Sequence, residues 1–268
     1  MGVLDGRIAL VTGASRGIGT EIARRFAAEG ATVIATARTL DPGSSPLAGS
    51  LTDTVASIEA AGGTAQAVAA DVSRAEDRVT LVERVTAAHG PVDILVSNAA
   101  VTWFTPVAEF TAKRVDLMFE VQVKAPMHLA QLVLPGMRER GAGTILNISS
   151  RAAIHPQLPP TGRASRGGTV YGMCKAALER FSTGLAAELY ADGIAVNALS
   201  PNRVVPTPGT VFHHLTTEDA PDAEAPAVMA EAALALCHPP ADGGRALTGR
   251  IAYSQDLLNE LGIAIPSR

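Results

Sequence analysis

The sequence predicts an α/β fold: a doubly wound parallel sheet of about seven strands with helices on both faces. Two observations predict it. Short β-rich apolar runs alternate with segments of helical spacing along almost the whole chain, and the first apolar run ends in a glycine-rich turn that opens directly into a helix. Alternation of this kind implies βαβ units with right-handed crossovers, which place helices on both faces of a parallel sheet. At 268 residues the chain is long enough for one large domain with a full core, and no linker or internal repeat divides it. The expectation is a single domain over 1–268.

Residues 7–12 (RIALVT) form a short apolar run before a glycine, the pattern of a buried strand. Residues 17–29 carry Ile18, Ile22 and Phe26 at helical spacing, and 31–37 (ATVIATA) are β-rich again. A helix is expected over 51–61, a strand over 64–70, and a helix over 75–88 with Val79, Val82 and Val85 on one face. Residues 92–97 (VDILVS) read as a strand, 112–140 as a long helix kinked at Pro126 or Pro135, and 144–149 (TILNIS) as a strand. A helix over 171–191, a strand over 194–199, a helix over 227–236 and a short strand over 250–253 complete the series. Three Pro/Gly-rich stretches interrupt it: 39–49, 151–169 and 202–226. Ligands of open α/β sheets bind beyond the carboxyl ends of the strands. The second and third stretches, with limits 151–170 and 202–226, are therefore candidate substrate-pocket walls; ordinary surface loops are the alternative.

Composition removes several function classes. The chain is 47% apolar and 18% charged, with a formal net charge of −4, so no basic field marks a nucleic-acid partner. Cys174 and Cys237 lack metal-type spacing and fit a reducing compartment. There is no apolar leader segment and no uninterrupted apolar stretch of about 18 residues. These features lead to the expectation of a cytoplasmic protein without a membrane, nucleic-acid or metal partner.

The first turn reads Thr12-Gly13-Ala14-Ser15-Arg16-Gly17-Ile18-Gly19. Glycines between a strand and a helix let the backbone turn sharply and approach a pyrophosphate, while the helix N-terminus offers free N–H groups. The spacing is G-x-x-x-G-x-G rather than the commoner G-x-G-x-x-G. Far along the chain, Tyr171 and Lys175 stand one helical turn apart. A phenol titrates near 10, and lowering it by about three units needs roughly 4 kcal/mol of differential stabilisation, which a neighbouring ammonium helps to supply.

On these motifs, together with Asp71-Val72, Ser97-Asn98-Ala99-Ala100, Asn147 to Ser150 and Asn197 to Pro201, the chain resembles the short-chain dehydrogenase/reductase family over residues 5–254. The resemblance implies a Rossmann-type fold and NAD(P)-dependent oxidoreduction. Tyr171 is then the general acid or base, Lys175 binds the nicotinamide ribose and tunes Tyr171, and Ser150 polarises the substrate oxygen, with Ser149 as its runner-up. Gly13, Ser15, Arg16, Gly17, Ile18 and Gly19 would cradle the dinucleotide. Asp71 and Val72 would meet its adenine, and Asn98, Ala99, Ile148 and Pro201 would line the same site. No carboxylate ends the second strand, where Arg38 follows Ala37; with Arg16 it suits a 2′-phosphate and favours NADP(H) over NAD(H), unless both arginines simply face water.

Departures from the family pattern are informative. Gln122 stands at the usual proton-relay Asn, Ser97 and Ala100 alter the Asn-Asn-Ala-Gly motif, and Asn202 replaces a glycine. The 151–170 loop is longer than usual, and Ser254-Gln255-Asp256-Leu257 replaces an acidic-Gly-Gly ending. The implied function is interconversion of a carbonyl and a secondary alcohol on a fairly apolar substrate. β-Ketoacyl thioester reduction and a non-enzymatic NADP(H)-binding sensor or scaffold are the alternatives. Family members assemble as tetramers or dimers through helices corresponding to 112–140 and 171–191. His213-His214 is read as loop histidines and Cys174 as a packed thiol. Arg163 and Arg166 are taken as solvated charges, and Trp103, Phe104 and Phe110 as either substrate wall or core.

Overall fold

The computed structural model describes residues 2–160, 167–238 and 246–267. Arg163 and Arg166 lie outside the described residues. Along the chain run β1 (Ile8–Thr12), α1 (Gly17–Ala28), β2 (Thr32–Ala37), α2 (Leu51–Ala60), β3 (Thr64–Ala69), α3 (Ala75–His89) and β4 (Ile94–Ser97). They are followed by α4 (Ala112–Phe119), α5 (Ala125–Arg140), β5 (Gly143–Ile148), α6 (Thr169–Glu188) and β6 (Ile194–Ser200). The last elements are α7 (Pro208–Phe212), α8 (Pro226–Cys237), β7 (Ile251–Tyr253) and α9 (Ser254–Glu260).

The strands form one parallel sheet in the order β3-β2-β1-β4-β5-β6-β7, so the predicted doubly wound architecture is present. The strand order reverses between β1 and β4, where Leu10 pairs with Leu95 on one side and Ile34 on the other. Side chains alternate across the sheet. Ala9 and Val11 of β1 pack with Ile22, Phe26 and Met229 from α1 and α8. Leu10 packs on the opposite face with Leu81, Leu129 and Met137 from α3 and α5. Two covered faces explain why the central strands read as continuous apolar runs.

The expected long helix over 112–140 is interrupted by a wide π turn at Glu120–Lys124, in which the Ala125 N–H bonds the Glu120 carbonyl five residues back. Pro126 follows at once. It has no N–H for the Gln122 carbonyl, and its ring would crowd that carbonyl in a regular helix, so the widened turn replaces the expected sharp kink. Pro135 sits inside α5. The sequence reading also passed over α7 and α9. The signal for α7 was present: Thr207 caps it, with Pro208 at the first helical position.

Candidate active site

Because the strands are parallel, their carboxyl ends lie along one edge, and most of the expected site residues are there. Gly13, just after β1, has φ +67°, and a Cβ on it would stand 2.8 Å from Asn98 Nδ2. A Cβ on Gly19 would stand 2.4 Å from the Gly13 carbonyl oxygen. Only glycine permits this approach of α1 to the β4 end. Asn98 Nδ2 donates to the carbonyls of Thr12 and Gly13 at 2.9 and 3.1 Å. The backbone N–H groups of Asn98 and Ala99 both donate to Thr12 Oγ1. The N-cap of α1, Arg16, makes no side-chain cap, so the first-turn N–H groups point forward uncapped. Ser15 is buried beneath the turn, and Ile18 packs half-buried on the core.

Arg16 is wrapped by the 39–49 loop, donating to Ser45 Oγ at 3.2 Å and to Thr39 Oγ1 and the Gly49 carbonyl at 3.0 Å each. Its Nε is buried without a hydrogen-bond partner among the described residues. Burial, then the nearby charge of Arg38, pushes the Arg16 guanidinium below its ordinary value. Two like charges held together with a spare donor, beside uncapped helix N–H groups, fit an anion. Asp71, beyond β3, is committed locally: its Oδ1 accepts from Ser73 N and Oγ. The Val72 carbonyl accepts from Arg78, which also binds Glu120 at 2.8 Å.

The end of β5 meets α6 at three successive residues. The Ile148 carbonyl accepts from Lys175 Nζ at 2.8 Å. Ser149 Oγ donates to Glu179 Oε1 at 2.7 Å. Ser150 hydrogen-bonds the Tyr171 hydroxyl. Of the two serines, Ser150 is the one beside Tyr171, whereas Ser149 is engaged by Glu179. Lys175 Nζ lies 5.7 Å from the centre of the Tyr171 ring. Burial brings Lys175 down to about 8, against the charge of Glu179. The charge balance at Tyr171 differs from the sequence argument, in which Lys175 lowers the phenol. Burial dominates and raises it, and the Ser150 hydrogen bond is what pulls the other way. Cys174, buried between them in sequence, is pushed by burial up to about 11 and is an unreactive thiol.

Gln122 lies in the π turn, buried, with Nε2 donating to the Val101 carbonyl at 2.9 Å. Its Oε1 is buried without a partner among the described residues. The aromatic residues divide. Phe104 lies edge-on to Tyr171 at 5.7 Å and to His213 at 5.9 Å. Trp103 and Phe110 pack with Met118 and Val170 in a small core that Tyr171 also adjoins. Phe104 thus walls the site and joins it to the 202–226 segment. Among the described residues no cluster of metal-ligating side chains exists, and no helix is long and apolar enough to cross a membrane.

The family model of the short chain dehydrogenases matches residues 7–213. The chain belongs to that family. With the family comes the reaction class, NAD(P)-dependent oxidation and reduction. A dehydrogenase/reductase SDR family member 4 of Sus scrofa is 37% identical over 202 residues, covering 75% of this chain and 67% of the relative. The ketoacyl reductase HetN of a Nostoc strain is 34% identical over 211 residues, covering 79% and 68%. The crystal structure of a metagenomic short-chain oxidoreductase in complex with NADP superposes with a TM-score of 0.75 at 31% identity, covering 94% of this chain and 98% of that one.

Two of this dehydrogenase's departures from the family pattern, Asn202 and the 254–257 ending, meet in space. Asn202 Oδ1 accepts from the Gln255 backbone N–H at 2.7 Å. The buried Glu224 carboxylate accepts from the Asn202 N–H, the Ser254 hydroxyl and Gln255 Nε2. Sequence reasoning missed Glu224, since nothing local marks a carboxylate that is needed 22 positions from its partner. Pro201, just beyond β6, opens this segment. Thr207 then reaches the glycine turn: a Cβ on Gly17 would stand 2.8 Å from Thr207 Cγ2.

Proposed function

We propose that this short-chain dehydrogenase uses NADP(H) in preference to NAD(H) to interconvert a carbonyl and a secondary alcohol on a fairly apolar substrate. The observation that carries the reading is the hydrogen bond between Ser150 and the Tyr171 hydroxyl, with the Lys175 amine held against the Ile148 carbonyl one helical turn away. Gly13, Ser15, Gly17, Ile18, Gly19 and the uncapped start of α1 would hold the pyrophosphate, with Arg16 and Arg38 at the ribose phosphate. Asp71 and Val72 would border the adenine, and Asn98, Ala99, Ile148 and Pro201 the remaining edge. Bound NADP(H) supplies or accepts the hydride.

The residues of the chain handle the proton. In reduction, the Tyr171 hydroxyl donates its proton to the substrate oxygen while Ser150 Oγ hydrogen-bonds that oxygen. The Lys175 ammonium stabilises the phenolate left behind, and Tyr171 takes the proton back in oxidation. Gln122 contributes its unpartnered Oε1 on the buried side, where the family's Asn serves a proton relay. Segments 151–170 and 202–226 border the substrate within one domain, and Phe104 and His213 give that border its apolar character. The reading includes a cytoplasmic enzyme assembled as dimers or tetramers, to which the exposed Met127 of α5 and Met173 of α6 lend support.

A panel of ketones, aldehydes, quinones and acyl thioesters, followed by NADPH absorbance, tests the proposal. Turnover of simple ketones is expected, with Tyr171→Phe abolishing it and leaving NADPH binding intact. Full activity in that variant would remove Tyr171 from the mechanism. Turnover confined to acyl thioesters would favour β-ketoacyl reduction, a reading encouraged by the name of the Nostoc relative. NADPH binding without turnover of any compound would favour a sensor or scaffold.

A further inference from the structure

Ile148, Ser149 and Ser150 bind three side chains of α6 spaced one turn apart: Lys175, Glu179 and Tyr171 respectively. The proposed proton transfer uses two of these ties and leaves the Ser149–Glu179 hydrogen bond unexplained. Glu179 is half-buried and one turn beyond Lys175, on the same helix face. We propose that Glu179 is a positioning residue for proton transfer: held by Ser149, its carboxylate keeps the Lys175 amine charged and seated on the Ile148 carbonyl. The inference rests on the roles given to Tyr171 and Lys175 above.

The groups around Lys175 support it by elimination. Lys175 is 3% exposed, and burial works against its charge. Two neighbours favour the proton, Cys174 and Glu179. The Cys174 thiol is itself pushed up to about 11, so it carries no charge near neutrality. Tyr171 presents its ring to the amine and is held protonated by burial. Glu179 is therefore the anionic neighbour. On its other side, Tyr253 of β7 feels the Glu179 charge, and Arg151 lies over the Tyr253 ring at 5.7 Å. Burial raises the Glu179 carboxyl, while the Ser149 hydrogen bond and Lys175 oppose that rise. Ser149 thus holds in its charged form the group that holds Lys175 in its own.

The sequence offers a direct measurement, because it contains three lysines, Lys113, Lys124 and Lys175, the first two exposed. With 13C at the ε carbons, each amine can be followed by NMR in the intact protein, and the two exposed residues give separate reference signals. The wild-type Lys175 signal is expected to titrate near 8. Glu179→Gln keeps an acceptor for Ser149 and removes the charge, and it should move that midpoint down by about one unit. Glu179→Asp keeps the charge and disturbs the Ser149 geometry, and it should stay near wild type. An unmoved midpoint in Glu179→Gln would reduce Glu179 to a structural tie; so would equal shifts in both variants. If Glu179→Gln does not fold, Ser149→Ala takes its place: with the carboxylate released, the Lys175 midpoint should fall, and an unmoved midpoint there would overturn the proposal. In turnover assays Glu179→Gln should lower kcat above about pH 7 more than it changes KM, with little loss near pH 6. A protein that reduces no carbonyl would defeat the functional reading, whereas the lysine titration would still decide the role of Glu179.

Discussion

The Asn202 N–H and the Glu224 carboxylate are joined at 3.1 Å across 22 positions, so the chain between them leaves and returns at one buried point beside Ser254. That segment carries Thr207 against the glycine turn and His213 against Phe104. Glu224→Ala would remove the acceptor shared by the Asn202 N–H, the buried Ser254 hydroxyl and Gln255 Nε2, leaving Ser254 Oγ as the partner of the Asn202 N–H, a loss of about 1–3 kcal/mol. Glu224→Gln should be near neutral, because its amide can turn to keep an acceptor toward those donors and a donor toward Ser254. Denaturant midpoints and tryptic cleavage at Arg203 would show this. An alanine variant as stable and as resistant as wild type would contradict it.

Gly19→Ala places a methyl 2.4 Å from the Gly13 carbonyl oxygen, so the turn must shift. NADPH affinity should fall by about tenfold or more, since the uncapped N–H groups lose their aim. Gly168→Ala, whose methyl would meet nothing within 4 Å among the described residues, is the matched control and should bind normally. Fluorescence titration with NADPH compares them.

Ser150→Ala should reduce kcat by about 10²–10³-fold, because it removes the donor beside Tyr171. Ser149→Ala should cost much less at pH 6, since Ser149 bonds Glu179 and not Tyr171. Steady-state rates in which Ser149→Ala is the more damaging would reverse the assignment.

Arg38 is exposed, whereas Arg16 is tied to Thr39, Ser45 and Gly49. Arg38→Ala should weaken NADPH by roughly tenfold and leave NADH unchanged, as expected for loss of a charged phosphate donor. Arg16→Ala should weaken both, since it also releases the 39–49 loop. Equal losses for Arg38→Ala would argue against phosphate recognition.

The depressed Lys175 makes stability depend on pH in a definite direction. Its folded value, about 8, lies below the ordinary 10.5, so between these values the unfolded chain binds more protons. Stability must therefore rise with pH across that window, and below pH 8 the charged amine opposes folding. Lys175→Met should be more stable than wild type at pH 7, by of order 1–3 kcal/mol, with the gap closing toward pH 10.5. Thermal melts across this range would reveal an opposite trend if the amine were not buried as a charge.

Periodicity and turn chemistry made the sheet, the glycine turn and the Tyr171–Lys175 pair legible, because each is written within a few consecutive residues. Strand limits moved by a residue or two. The interruption of the 112–140 helix was legible as proline but not as a π turn, since Pro126 denies the Gln122 carbonyl its donor without fixing whether the helix kinks or widens.

The sequence by itself determined the seven strands and the main helices between them, where the strands' carboxyl ends cluster, and which residue types wait there. Tertiary structure alone decided that Ser150 and not Ser149 meets Tyr171, that Phe104 lies edge-on to the Tyr171 ring, and that Asn202, Glu224 and Ser254 form one buried group. The physical reason is range. Helix and strand patterns arise from neighbours along the chain, whereas a side chain's direction and its hydrogen-bond partner depend on backbone brought near from 22 to 53 positions away.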